Sequence, residues 1–224
     1  EKCLREPVGD MKYKFVVPGA EYQDLWDWDS FFMCCALPDD KLEYAQGTIR
    51  GLLDATRADG MPAKMVRRDG SALLVEQTLP LLAQFTYIVA ERMGDFSWAD
   101  GYWDKLENIA AYHDKHFVRD GFHVWNTWSG IDNNPSLYGQ VPGTVAGADL
   151  AAWIYRELKA MEKLSARLGR GREDYYAQKA ERLKKFIQDN YFDYADGFFY
   201  DILKNTDGIE IPKMFQAVKW NTFI

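Results

Sequence analysis

Cysteine and histidine are scarce in this chain, three of each in 224 residues. Cys34 and Cys35 are adjacent and Cys3 stands alone, so no disulfide framework can be drawn. That usage points to a reducing compartment such as the cytoplasm, although the compartment itself stays open. His113, His116 and His123 have metal-ligand spacing only superficially, because no Cys or carboxylate completes the set; packing or surface histidines are expected, and no metal. Gly-rich phosphate loops are absent, so neither a nucleotide nor any other cofactor is expected. No apolar run approaches the ~18 residues of a membrane span, which excludes membrane insertion by a helix. Basic patches are missing too: net charge is −7, and the stretches 159–172 and 179–185 interleave Lys and Arg with Glu at helical spacing. Those are solvated helix faces, and nucleic acid is excluded as a partner. No signal-peptide pattern follows Glu1, though a processed start would hide one. Low-complexity tracts and long linkers are also lacking, which leaves a single domain over residues 1–224.

Aromatic residues are plentiful, with 8 Trp, 13 Tyr and 13 Phe. They fill cores, and Trp beside Asp also makes the apolar floor and polar rim of a carbohydrate site. Apolar spacing is helical almost throughout. Leu42, Ala45, Ile49 and Leu52 predict a helix over Leu42 to Arg57. A second helix is predicted from Ala72 to Met93, apolar nearly all round and with Pro80 inside it as a kink or first-turn residue. A third runs from Trp98 to His116. Two amphipathic helices follow, Ala148 to Leu168 and Glu173 to Asn190, made antiparallel neighbours by the short Gly169-Arg170-Gly171 turn. Strand signals are thin: Phe122 to Trp125 and Phe198 to Ile202 could form hairpin pieces beside Asp-Gly turns. Buried and amphipathic helices joined alternately by short turns and long loops predict concentric helix layers. A helical-repeat solenoid would need a recurring motif of about 34–47 residues, and none recurs.

Two segments carry chemistry. Trp26-Asp27-Trp28-Asp29-Ser30 mixes Trp and Asp in a way a core would not tolerate without partners. Trp faces can stack on a pyranose while Asp accepts its hydroxyls; equally, Asp29-Ser30 could be a helix N-cap. The second, Trp128-Ser129-Gly130-Ile131-Asp132-Asn133-Asn134-Pro135, lies in a long polar loop between helices. Gly130 permits close backbone approach. Enclosed among Trp and Asn with no nearby Lys or Arg, Asp132 would titrate above the ordinary carboxylate range, as a general acid requires. An Asx-type turn over Asp132 to Pro135 is the plainer alternative.

Taken together, Trp26-x-Trp28-Asp29-Ser30, Glu76-Gln77-Thr78-Leu79-Pro80 and Ser129-Gly130-Ile131-Asp132-Asn133-Asn134-Pro135 resemble successive motifs of glycoside hydrolase family 63, including its bacterial mannosylglycerate-hydrolase-like members and the related trehalases. The resemblance runs in order over essentially the whole chain, including Val17-Pro18-Gly19 before the first motif; Asn134 stands where relatives often carry Ser. It implies an all-α fold, a partial (α/α)6 toroid with about three of six helical hairpins and short β-hairpin pieces in its loops. It implies an inverting α-glycosidase with Asp132 as general acid. Trp26, Trp28, Asp29, Gln77, Trp128, the Gly130 backbone and Asn133 would then surround the substrate, an α-linked oligosaccharide or glycoside. It further implies that the general base is a Glu beyond Ile224, so that residues 1–224 alone would be inactive. A trehalase-like activity on the same fold and a noncatalytic helical carbohydrate-binding protein are the competing expectations.

Overall fold

The computed structural model describes residues 2–126, 137 and 141–203. Seven helices dominate it: α1 (Asp27–Cys35), α2 (Leu42–Ala55), α3 (Leu82–Met93), α4 (Ser97–Asp100), α5 (Trp103–Phe117), α6 (Ala148–Leu168) and α7 (Glu173–Asn190). They form two layers. In the inner one, Phe31 of α1 meets Phe85 of α3 at 5.2 Å and Trp153 of α6 at 6.3 Å between ring centroids. In the outer one, Lys105 of α5 donates to the Leu53 carbonyl at the end of α2, and Trp103 of α5 meets Tyr176 of α7 edge-on. The chain alternates inner, outer, inner, outer. That is the helix layering of a partial α/α toroid, and the hairpins expected in its loops are present.

Alternation has a consequence for function. The turns leading from each inner helix outward are short: 36–41, 94–102 and 169–172. The segments returning inward, 56–81 and 118–147, are long and all deliver the chain to the N-terminal ends of inner helices. The residues leading into α1 arrive at the same end. Leu25–Trp26 pairs with Ala63–Val66, which pairs with Ala72–Leu74 across the Asp69-Gly70 turn, where Gly70 takes φ +76°. A second sheet orders Ile202–Leu203, Val145–Ala146, Phe122–Trp125 and Val118–Arg119, all antiparallel.

Two helix expectations are corrected. The helix expected from Ala72 begins only at Leu82; Ala72–Leu74 is a strand and the residues between are neither helix nor strand. Pro80 lacks an N–H and disfavours the helical conformation of Leu79, so the apolar run divides there. The third helix breaks at Gly101-Tyr102, leaving α4 and α5. The expected helices at 42, 148 and 173 start where the apolar period put them.

Near the start of the chain, Val16 is fixed by side chains of two helices. Its N–H donates to Thr48 Oγ1 at 2.9 Å, and Ser30 Oγ donates to its carbonyl at 2.9 Å. Gly47 lets this segment lie against α2, since a Cβ there would collide with the Lys14 carbonyl.

Candidate active site

Trp26, Trp28 and Asp29 sit at the entrance to α1, each half-buried. Trp26 is the N-cap residue by backbone conformation, so Asp29 lies inside the first turn rather than capping it. Acidic side chains there meet the positive end of the helix dipole. Trp28 packs edge-on against Phe32 at 5.8 Å, and Phe32 meets Trp153 at 6.3 Å. Phe32 is 43% exposed. The inner face of α1 therefore carries an accessible aromatic wall, the kind of surface on which a sugar ring can stack.

Between the two Trp, Asp27 turns the other way. It is buried with Lys64 Nζ at 3.7 Å, an ion pair joining α1 to the Ala63–Val66 strand. Burial pushes its carboxyl up to about 6, with Lys64 pulling against that rise. The pair is invisible in the sequence because Lys64 is 37 positions away and nothing in the alternation of its strand marks a buried cation.

Gln77 is held on several sides, and only 1% of it is exposed. Its Oε1 accepts the Asn126 N–H at 2.6 Å, its Nε2 donates to the Val124 carbonyl at 3.0 Å, and the same Nε2 stands 3.4 Å from His113 Nε2. Beside it, the Asn126 carboxamide donates to the Glu76 carboxylate. Asn126 opens the loop on which Asp132 follows by six positions. The base of that loop is closed by Gly143 N–H donating to the Trp125 carbonyl at 2.7 Å and by the pairs Val124↔Ala146 and Trp125↔Val145. Asp132, Trp128, Gly130 and Asn133 themselves lie outside the described residues.

Strand pairing thus joins Trp26 to Met65 and that strand to Ala72–Leu74, and three residues further along the chain Gln77 bonds to Asn126. This brings the first two motifs and the root of the third to one end of the helices. A cavity of about 480 Å³ opens beside this root, lined by Glu76 and Asn126 with Arg57, Tyr112, His116 and Arg119 among its other walls. A second, apolar cavity of about 50 Å³ lies deeper, between Gln77, His113 and Glu157.

Three further groups shape this end. Glu157, in the middle of α6, accepts the Ala83 and Gln84 N–H groups at 2.9 Å each and so caps α3 from outside. Burial pushes its carboxyl up to about 7, against the pull of those two N–H donors. Asp149 at the start of α6 accepts the Trp125 indole N–H at 3.0 Å, and Asp201 accepts the Ala148 N–H at 2.9 Å. Asp193 accepts the Ala195 N–H at 2.8 Å in a turn of its own. His113 and His123 are buried with ring centroids 5.5 Å apart, whereas His116 lies at the surface against Tyr112. Burial holds both inner rings below the ordinary histidine range, His123 at about 4. Cys34 is enclosed in the core, which raises its thiol, and Cys35 is exposed.

The family described as Mannosylglycerate hydrolase MGH1-like glycoside hydrolase domain matches residues 22–219. Among solved structures, the chain resembles a GH63 mannosylglycerate hydrolase from Thermus thermophilus in complex with glucose, at 19% identity and a TM-score of 0.68 over 84% of this chain and 62% of that one. An uncharacterized conserved protein from the same organism superposes with a TM-score of 0.71 at 18% identity, over 90% of this chain and 64% of that one. A rhamnosidase from Klebsiella oxytoca gives 0.66 at 15% identity, over 91% and 38%. The chain spans less than two thirds of the length of each of these structures. No curated protein matches it in sequence.

Proposed function

We propose, because the chain belongs to the mannosylglycerate hydrolase MGH1-like family of glycoside hydrolases, that it serves an inverting hydrolase of an α-linked glucoside or mannoside with Asp132 as general acid. One observation carries the reading. The contacts from Trp26 through Gln77 to Asn126 bring two separated motifs, and the residue from which the third segment departs, to the N-terminal end of the inner helices. Asp132 follows Asn126 by six positions in the sequence, and the reading assigns it to this same end. Trp26, Trp28 and Asp29, with Trp128, the Gly130 backbone and Asn133, are assigned to the glycone sugar.

The chemistry asked of Asp132 is protonation of the leaving oxygen. Inversion also needs a carboxylate that activates water on the opposite face, with the two groups roughly 6.5–9.5 Å apart. Two glutamates that line the cavities described above are committed elsewhere: Glu76 accepts from Asn126, and Glu157 caps α3. The base is assigned to neither. Asp132→Asn in the enzyme expressed from its complete gene tests the assignment, with α-glucosides, α-mannosides, trehalose and mannosylglycerate as substrates. Turnover falls by about 10²–10⁴ while sugar affinity stays within a few-fold, because only proton transfer is removed. A variant that loses affinity and has no turnover to lose would identify a noncatalytic sugar-binding protein instead.

A further inference from the structure

We propose that Gln77 is a positioning residue that holds the root of the Asp132 loop through backbone contacts, rather than a contact to the sugar, and that His113 is its support. The part concerning Asp132 rests on the function proposed above; the hydrogen-bonded arrangement itself does not.

A carboxamide has two N–H donors and one oxygen acceptor with two lone pairs. In Gln77 the oxygen takes the Asn126 N–H, one N–H goes to the Val124 carbonyl, and the other faces His113 Nε2. Both donors are therefore spent inside the protein, and the residue is almost fully enclosed. Only one lone pair of the oxygen remains for any ligand. Turning the carboxamide over would set its NH₂ against the Asn126 N–H and its oxygen against the Val124 carbonyl, two like-with-like contacts. The orientation is thus dictated by backbone on both sides.

That orientation fixes the state of His113 as well. Facing an NH₂ group, its Nε2 is assigned as the bare acceptor nitrogen of a neutral ring, with the proton on Nδ1, which is buried with no hydrogen-bond partner among the described residues. Enclosure supports this, since burial and the neighbouring His123 and Lys179 all disfavour the charged ring. Asp114 also faces this region, but it is paired with Lys179. His113 comes from α5 and Gln77 from the segment between the Ala72–Leu74 strand and α3, so together they hold the end of the Phe122–Trp125 strand. The sheet pairs and the Gly143 N–H hold the other side of the same root. Truncating the carboxamide removes the hold on the Asn126 N–H, while the side-chain bond of Asn126 to Glu76 remains.

The test combines amide hydrogen exchange with kinetics on Gln77→Met and His113→Phe, both of which keep side-chain bulk. In the folded proteins, exchange of the Asn126 amide quickens about tenfold in Gln77→Met and less in His113→Phe, as loss of one buried hydrogen bond allows. In the same variants kcat on the α-glycoside substrate falls while KM stays within about twofold, the pattern of a lost transition-state contribution. The ¹⁵N resonance of His113 Nε2 shows an unprotonated nitrogen in the parent protein. A slow Asn126 amide in Gln77→Met together with a raised KM would overturn the proposal and return Gln77 to the sugar. Should Gln77→Met fold poorly, His113→Phe and the ¹⁵N signature still decide: a protonated Nε2 refutes the arrangement. Faster exchange in a protein without glycosidase activity would uphold the clamp and sink the functional reading alone.

Discussion

Replacing His123 by Phe should flatten the acid dependence of stability by an amount that follows from the structure. His123 is buried, and burial holds its ring at about 4 against 6.5 in an unfolded chain. The folded state therefore prefers the neutral ring. The stability this confers is complete above 6.5 and is lost as pH falls through the interval from 6.5 to about 4. The full gap corresponds to about 3.4 kcal/mol, and about 2 kcal/mol of it is gone by pH 5. Asp27 and Glu157 act in the opposite sense. Their carboxyls are raised to about 6 and about 7, so both favour folding more as pH falls through those values. The net slope of the parent protein is thus a difference of opposed contributions, and only the comparison with the variant isolates His123. Urea unfolding at pH 7.5 and pH 5.0 measures it. Between those pH values the parent should lose about 2 kcal/mol more than His123→Phe. At pH 7.5 the two should lie close together, since the ring is replaced by one of similar size beside His113. Equal pH dependence in the two proteins would refute the reasoning.

Removing Lys64 tests the buried pair beneath the two Trp. Lys64→Met leaves the Asp27 charge uncompensated and should cost about 3 kcal/mol at pH 7.5, with most of it recovered at pH 5 or in the double variant with Asp27→Asn; urea titrations at both pH values read this, and a pH-independent loss would contradict it. Gly47→Ala should destabilise by about 2 kcal/mol despite alanine's better helix propensity, because the new Cβ meets the Lys14 carbonyl. A neutral or stabilising effect in thermal unfolding would show that the N-terminal segment shifts freely.

Elements whose signal is local could be read from the sequence. The i, i+3, i+4 spacing of α2, α6 and α7 placed their starts, and Gly169 gave the turn between the last two. Where the apolar signal was uniform, it failed: the run from Ala72 to Leu82 looks helical by hydrophobicity, yet strand pairing with Ala63–Val66 and the ring of Pro80 divide it. The aromatic-acidic stretch at Trp26 to Asp29 declared itself by composition. The side chains around it did not. Lys64, His113 and Glu157 matter through partners 37, 36 and 74 positions away, and a single sequence carries no trace of such pairings. Gln77 was singled out by its motif, but the motif says nothing of which way its carboxamide points.

The most direct measurement of the central claim is proton NMR of the first sugar released from an α-linked substrate by the enzyme from its complete gene, run beside Asp132→Asn. The account predicts that the β-anomer appears first and mutarotates to the equilibrium mixture, and that the variant releases almost none. An α-anomer released first, or Asp132→Asn turning over at the parent rate, would contradict it.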